Sequence, residues 1–304
     1  MNLHTPGRLL RALRTPAGRQ HYRDAFRSRL WQSLGSLPWD LDVRARLAGQ
    51  LPMVLSTRDQ VISRAIFATG EWEPDELAIL RHFVKPGMTA FDVGANIGVH
   101  SLTLAQLVGP HGAVHSFEPT HVFARLQKNV DINGFAARIR LNHCAVGATK
   151  GTMRLVATKP GAELFSSRST PLDPSVGTAQ FLEFPMITLD EYCAEKGIER
   201  IDFLKVDVEG GEPEVLAGAV SLLARGAIRC VLFEFSEPCL VNCGESPEKL
   251  LASIRNSGFQ LRFLDRSGRF HDHLDSLQGL TLNVLALPEG EPIGLPTLQA
   301  ILDS

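Results

Sequence analysis

Asp92-Val93-Gly94-Ala95-Asn96-Ile97-Gly98 is the stretch that decides how this 304-residue chain is read. Ala90-Phe91 before it is apolar, and Val99-His100-Ser101-Leu102-Thr103-Leu104-Ala105 after it reads as a helix, so the turn joins a buried strand to a helix. A dinucleotide fingerprint is G-x-G-x-x-G, whose middle glycine makes room for a pyrophosphate. Here the pattern is D-x-G-x-N-x-G, with Ala95 and Asn96 between Gly94 and Gly98. Asp92 at the strand end disfavours phosphate and favours a cationic ligand. S-adenosylmethionine carries an ammonium, a sulfonium and a ribose but no phosphate, so the turn points to a methyltransferase.

The following segment supports an adenosine site. Gly112 to Phe117 reads as the next strand and ends in Glu118-Pro119, 20 residues beyond Gly98. An acid at the tip of the second strand of a βαβ unit is placed to accept hydrogen bonds from ribose hydroxyls. Pro119 suits the first turn of a helix, where a missing N–H costs nothing. Val122, Leu126 and Val130 then repeat at helical spacing, with one apolar face toward a sheet.

Several motifs together resemble the FkbM-type methyltransferase family: Phe91 to Gly98, Phe117-Glu118-Pro119, Asn129-Val130, Asn133-Gly134, and Ile201-Asp202-Phe203-Leu204-Lys205-Val206-Asp207-Val208-Glu209-Gly210-Gly211-Glu212. Asp207-Val208-Glu209-Gly210 is the most specific of these; the glycine turn is common to many methyltransferases. The resemblance runs from Gly70-Glu71-Trp72-Glu73 to about Leu287 and departs at His100, where an aromatic such as tyrosine is expected. It implies a Rossmann-like class I α/β fold with a mostly parallel seven-stranded sheet and one antiparallel strand. It also implies O-methylation in natural-product or glycan pathways.

Composition sets the bounds. Apolar residues make up 44% of the chain, enough for a large core, and no 18-residue apolar run is present to span a membrane. A net charge of −2 argues against a general nucleic-acid binder. Cys144, Cys193, Cys230, Cys239 and Cys243 lack C-x-x-C spacing and read as reduced thiols of a cytoplasmic protein. The N-terminus carries Arg8, Arg11, Arg14, Arg19, Arg23, Arg27 and Arg29 without an apolar leader. Tyr22, Phe26, Leu30 and Leu34 recur every four residues, an amphipathic stripe expected to dock on the catalytic domain, with attachment to an anionic membrane or substrate as the alternative.

The expected organisation is an N-terminal helical extension (1–70), a methyltransferase domain (71–290) and a C-terminal tail (291–304). Strands and helices alternate through 90–94, 97–108, 113–118, 120–133 and 139–146. Residues 151–186 interrupt this as an inserted hairpin or flap, in which two strands bracket the Ser/Thr/Pro/Gly-rich Lys159–Gly177, read as a substrate cover. Thr188-Leu189-Asp190-Glu191 is a capping box, Ile201–Asp207 a buried strand, Pro213–Leu223 a helix, Val231–Phe235 a strand and Pro247–Ser257 a helix. Phe259–Leu264 and Thr281–Leu287 form an antiparallel pair.

Methyl transfer requires alignment of the acceptor with the reacting methyl, and an alcohol acceptor benefits from a base. Asp207 at the fourth strand's end and Glu209 beyond it are the expected catalytic acids. Glu73, Asp92, Gly94, Ala95, Asn96, Gly98, Glu118, Pro119 and Asp207 are the expected cofactor-binding residues, Glu73 being equally suited to capping the helix at Pro74. No metal is assigned, because Asp207 and Glu209 lack an obvious third ligand. Glu234 is a second-rank acid, Glu212 and Glu214 suit a helix start, His115 reads as a core or surface histidine, and His100 as a site wall that helix geometry keeps uncharged. The acceptor is a small molecule or glycan. A non-catalytic adenosine-binding scaffold and an NAD-dependent oxidoreductase are the alternatives.

Overall fold

A computed structural model describes residues 15–156, 181–290 and 294–303. Two compact units divide them near Trp72–Glu73. In the first, helix α1 (Pro16–Gly35) is followed by strands β1 (Asp42–Leu47) and β2 (Leu51–Ser56) and helix α2 (Ile62–Thr69). The two strands pair antiparallel, Asp42 opposite Ser56 and Leu47 opposite Leu51, so a segment expected to be helical also contains a hairpin. Alternation in Asp-Val-Arg-Ala-Arg-Leu carried that strand signal, exposed arginines alternating with less exposed Val43 and Ala45. Trp31 anchors α1: it is fully buried, its indole N–H donates to the Asp59 carbonyl at 2.9 Å, and its ring lies 4.9 Å from Phe67. Within the four-residue stripe, Phe26 is 68% and Leu30 41% exposed, while Tyr22 and Leu34 are half-buried.

The second unit runs α3 (Pro74–Phe83), β3 (Thr89–Val93), α4 (Val99–Val108), β4 (Ala113–Phe117), α5 (Phe123–Ile132), β5 (Ile139–Asn142), β6 (Ala145–Val146), β7 (Gly151–Val156), β8 (Phe181–Ile187), α6 (Leu189–Lys196) and β9 (Phe203–Val206). It continues through α7 (Glu212–Ala217), α8 (Val220–Ala224), β10 (Val231–Ser236), α9 (Glu237–Asn242), α10 (Pro247–Asn256), β11 (Phe259–Leu264), β12 (Phe270–His271), β13 (Thr281–Pro288) and α11 (Leu295–Leu302). The main sheet has the order β12-β11-β13-β10-β9-β3-β4-β5. Five central strands are parallel, and β13 runs antiparallel to both β10 and β11. Seven strands with one reversed match the expected fold; the two-residue β12 adds an eighth at the edge.

The central strands are apolar on both faces, as a parallel sheet covered by helices requires. Phe91, Val93, Phe117, Leu204, Val206, Val231, Phe233 and Phe235 join one core cluster with Leu189, Tyr192, Val215 and Ile254 from the helices. His115 belongs to this interior, its Nδ1 2.8 Å from the Tyr192 hydroxyl, with burial, Arg140 and Lys196 pushing its pKa down to about 4. The five cysteines are all free thiols.

Several boundaries shift. Residues 139–146 divide between β5 of the main sheet and β6 of a separate sheet ordered β6-β8-β7. Within that sheet, β7 and β8 pair antiparallel, which bounds the inserted segment, while the substrate cover at Lys159–Gly177 lies outside the described residues. The helix expected over 213–223 breaks at Gly218, where an added Cβ would lie 2.1 Å from the Gly147 carbonyl oxygen. Pro119 precedes α5 by several residues rather than opening it. Thr188 does cap α6, its hydroxyl accepting from Glu191 N–H at 3.1 Å. The expected C-terminal tail contains α11, whose Leu298 is fully buried.

Candidate active site

Register places the site. Val93 of β3 is paired with Phe117 of β4 and with Val206 of β9, and Val206 with Phe233 of β10. The next residue in each of these strands is therefore Gly94, Glu118, Asp207 and Glu234, four side-by-side positions at the carboxyl edge. Between β3 and β9 the strand order reverses, the position at which open α/β sheets form their ligand crevice.

The glycine turn is tied to itself and to the end of β4. Gly94 and Ala95 N–H both donate to the Phe117 carbonyl at 3.0 Å, Asn96 N–H to Glu118 Oε2 at 3.0 Å, Ile97 N–H to Asn96 Oδ1 at 2.8 Å, and Gly98 N–H to the Ala95 carbonyl at 2.9 Å. No amide in the turn is left to cradle a pyrophosphate. Internal packing by itself requires both glycines. An added Cβ at Gly94 (φ 85°) would lie 1.8 Å from the Asp207 carbonyl oxygen, and one at Gly98 (φ 96°) 2.7 Å from Leu126 Cδ1. Asp92 lies fully buried beneath the turn, its Oδ2 accepting from Ser101 Oγ at 2.5 Å and its Oδ1 without a partner.

Glu118 is also buried. Besides Asn96 it accepts from Thr120 N–H at 2.8 Å and Thr120 Oγ1 at 2.6 Å, so the carboxylate ties the tip of β4 to the turn. Burial raises its pKa against the pull of these hydrogen bonds.

Across the crevice, Glu73 does not cap α3: it occupies the N-cap position in a left-handed conformation (φ 47°) with no side-chain capping bond. Its carboxylate instead lies 3.5 Å from His100 Nε2, and Glu76 lies 3.0 Å from the same nitrogen. The three facing atoms, Glu73 Oε2, Glu76 Oε2 and His100 Nε2, are all buried. Burial and Lys205 pull the His100 pKa down, but Glu76 and Glu73 outweigh them and the net shift is upward. The expected helix-terminus effect on His100 is thus overruled by two acids. Burial and Glu76 push Glu73 up to about 7.

Lys205 and Glu76 escaped the sequence reading. Lys205 sits in the middle of β9, 3% exposed, with Nζ 2.9 Å from Asp207 Oδ2. A buried ammonium is tolerated only with paired charge. Burial works against the charge of Lys205, while Asp207, Glu76, Asp92 and Glu73 reverse that and raise its pKa above the ordinary lysine range. A lysine within an otherwise apolar strand was the available signal.

Glu209 follows with a left-handed backbone (φ 53°), and Cys239 Sγ lies 3.7 Å from its Oε2. Burial, Asp207 and Glu212 push its pKa up to about 7. Glu212 is buried and accepts from Val208 N–H at 3.1 Å and Gly210 N–H at 3.3 Å, so it shapes this loop rather than facing the crevice. Asp207, Glu209 and Glu234 each bring a carboxylate oxygen within 4.8 Å of the others, and Glu234 is therefore the third acid that the sequence reading judged missing. Burial, Asp207 and Glu209 push Glu234 up to about 9.

An acid whose pKa is higher folded than unfolded stabilises the fold below its unfolded value, and that contribution is lost as pH rises through the folded value. For Glu234 the window runs from about 4.5 to about 9. Glu234→Gln is expected to raise thermal stability by on the order of 1 kcal/mol at pH 8 and leave it nearly unchanged at pH 4, checked by calorimetric melts across that range. Equal melting shifts at both pH values would reject electrostatic crowding as the cause.

Comparison with known proteins adds the following. The methyltransferase FkbM domain model matches residues 92–261. The 31-O-demethyl-FK506 methyltransferase FkbM of Streptomyces tacrolimicus is 35% identical over 167 residues, covering 46% of this chain and 63% of that protein. Methyltransferase sdnD of Sordaria araneosa is 30% identical over 195 residues, covering 56% of this chain and 73% of the relative. The 2-O-methyltransferase NoeI of Sinorhizobium fredii is 28% identical over 205 residues, 62% of this chain and 81% of the relative. The match thus spans less than two thirds of the first relative's length.

Proposed function

Since the chain belongs to the FkbM methyltransferase family, we propose that it is an S-adenosylmethionine-dependent O-methyltransferase acting on a hydroxyl of a small molecule, natural product or carbohydrate. The observation that carries this reading is the crevice edge, where Glu118, Asp207 and Glu234 stand abreast of a glycine turn whose amides are all committed. That edge fits a cationic, phosphate-free ligand and offers no pyrophosphate cradle. Two of the relatives are named as oxygen methyltransferases, which supports oxygen as the acceptor atom.

In this reading Glu118 holds the ribose hydroxyls, and Glu73 faces the methionine ammonium. When bound, S-adenosylmethionine supplies a methyl group activated by its sulfonium. Asp207, fixed by Lys205, orients the acceptor hydroxyl, and Glu209 takes its proton. A base poised near neutrality suits this work, and Glu209, at about 7, is so placed. The intact acids favour an enzyme over a scaffold that only binds adenosine.

Isothermal titration tests the cofactor assignment: S-adenosylmethionine should bind and NADH should not, and the reverse would overturn the proposal. Glu118→Ala should weaken S-adenosylmethionine binding by about 1.5–3 kcal/mol, the range for a hydrogen bond to a charged group. The melting point should fall with it, because Asn96 and Thr120 lose their acceptor. Unchanged affinity in the folded variant would remove Glu118 from the ribose site.

A further inference from the structure

Resting on the S-adenosylmethionine reading, in which Glu73 alone meets the methionine ammonium, we infer that Glu73, Glu76 and His100 together form the ammonium subsite. The cofactor's ammonium enters it in exchange for a proton that the ligand-free triad holds. Helix α3 supplies Glu73 and Glu76, and His100 stands on the first turn of α4, two residues after Gly98. One oxygen of each acid and a ring nitrogen all lie within 4.8 Å of one another. The side chains of Glu76 and His100 are 6% and 7% exposed and that of Glu73 is 32% exposed, so the triad is approached from Glu73. Glu73 reaches this position from a left-handed backbone (φ 47°), a conformation costly to a residue with a side chain.

Charge counting fixes what the triad needs. Two buried acids that face each other do not both stay ionised without a cation between them. In the ligand-free protein that cation is a proton. Burial and Lys205 oppose it on His100, but Glu76 and Glu73 outweigh them. Glu73 is the other place for it, its pKa pushed up to about 7 by burial and Glu76. On either group, the triad holds a proton near neutrality. Among the neighbours, Lys205 of β9 bears on all three groups and is itself paired with Asp207 at 2.9 Å. Asp207 in turn bears on Glu73, and β13 contributes the neutral Asn283, hydrogen-bonded to Glu76.

The chemistry selects the ligand. An alkylammonium presents three N–H donors and no acceptor. The deprotonated triad presents two carboxylate oxygens and the lone pair of His100 Nε2, three acceptors. With a proton on Nε2, donor faces donor, so proton and ammonium exclude each other; the proton leaves to solvent and the ammonium replaces it as countercharge. His100 Nε2 stands 3.0 Å from Glu76 and 3.5 Å from Glu73, nearer than the roughly 4.7 Å at which one ammonium keeps two acceptors. The triad therefore widens as the exchange occurs. Tyrosine, expected at position 100 from the family pattern, would keep its proton near neutrality. Histidine can yield it.

Titration calorimetry of the full chain tests the exchange with S-adenosylhomocysteine and its deaminated analogue, which lacks only the ammonium. The protein should prefer S-adenosylhomocysteine by roughly 10–100-fold, the worth of hydrogen bonds to a charged group. Its affinity should rise from about pH 6, by at most about tenfold per pH unit, and level off near pH 8, where an α-amino group loses its own charge. Buffers of different ionisation enthalpy should report about one proton released per ligand bound. The deaminated analogue should show neither effect. Glu73→Gln should abolish the preference. Glu76→Gln should keep much of it but lower proton release to about half or less, because one acid holds the proton less tightly than two. Parent-like affinity for the deaminated analogue identifies a folded site in each variant, and the proton count of the unmodified protein decides the matter if a variant does not fold. Absence of binding by either ligand would sink the S-adenosylmethionine reading itself, and equal affinities would remove Glu73 from the ammonium. A clear preference without proton release, or with affinity that falls as pH rises, would overturn the exchange alone. Binding of Mn²⁺ by the ligand-free protein, lost in Glu76→Gln, would give the triad to a metal and overturn it as well.

Discussion

Gly94→Ala is expected to destabilise the catalytic unit by about 2–5 kcal/mol, the sum of a left-handed alanine and an overpacked contact. The first part arises because Gly94 has φ 85°, and the second because its Cβ would meet the Asp207 carbonyl oxygen at 1.8 Å. Relief requires β3 and β9 to part at the crevice itself, so S-adenosylmethionine binding should be lost together with stability. A contact with the cofactor alone would leave the fold intact. Denaturant titration separates the two cases: a parent-like midpoint with abolished binding would return the contact to the ligand.

Glu209→Gln should lower turnover by roughly 10²–10⁴-fold while changing cofactor affinity little, as removal of a general base does. Single-turnover assays at saturating S-adenosylmethionine are the measurement, using whichever hydroxyl acceptor supports activity. In the parent protein the acid limb of the rate profile should fall near pH 7, because Glu209 must be ionised to accept a proton and its pKa is pushed up to about 7. Asp207→Asn should damage both binding and turnover, since Asp207 is joined to Lys205 and adjoins Gly94. A near-parent rate for Glu209→Gln would move the role of base to Asp207 or Glu234. Loss of activity on chelation, restored by Mg²⁺, would give the three carboxylates a metal-binding role instead.

The sheet was legible because its signals are local. Apolar runs ending in glycine or acid mark β3, β4 and β9, and the antiparallel final pair follows from a short connection without a helical pattern. The crevice acids Glu118, Asp207 and Glu209 were legible for the same reason, since each ends or follows a strand. What remained hidden depends on register between distant segments. Glu234 joins Asp207 only because Phe233 pairs with Val206 across adjacent strands. Lys205 and Glu76 become meaningful only when α3, β3 and β9 meet. The hairpin β1–β2 was missed because the alternation of Arg44 and Arg46 with Val43 and Ala45 is too short to stand out from the helical pattern before it. The helical period of α1 was visible, but its most buried residue, Trp31, lies outside the four-residue repeat of Tyr22, Phe26, Leu30 and Leu34.

The closed hydrogen bonding of the glycine turn bears on redesign. Converting this crevice to accept NAD would look like a small change: glycine in place of Ala95 or Asn96, and a neutral residue in place of Glu118. The structure predicts that such an exchange fails. The Gly94 and Ala95 amides would still point at the Phe117 carbonyl, and the Asn96 amide would lose its acceptor without turning toward a phosphate. Freeing those donors requires the end of β4 to withdraw from the turn, which alters the backbone of two strands at once. In the proposed reading, the three turn amides are withheld from a phosphate by main-chain geometry, which these side-chain replacements alone do not change.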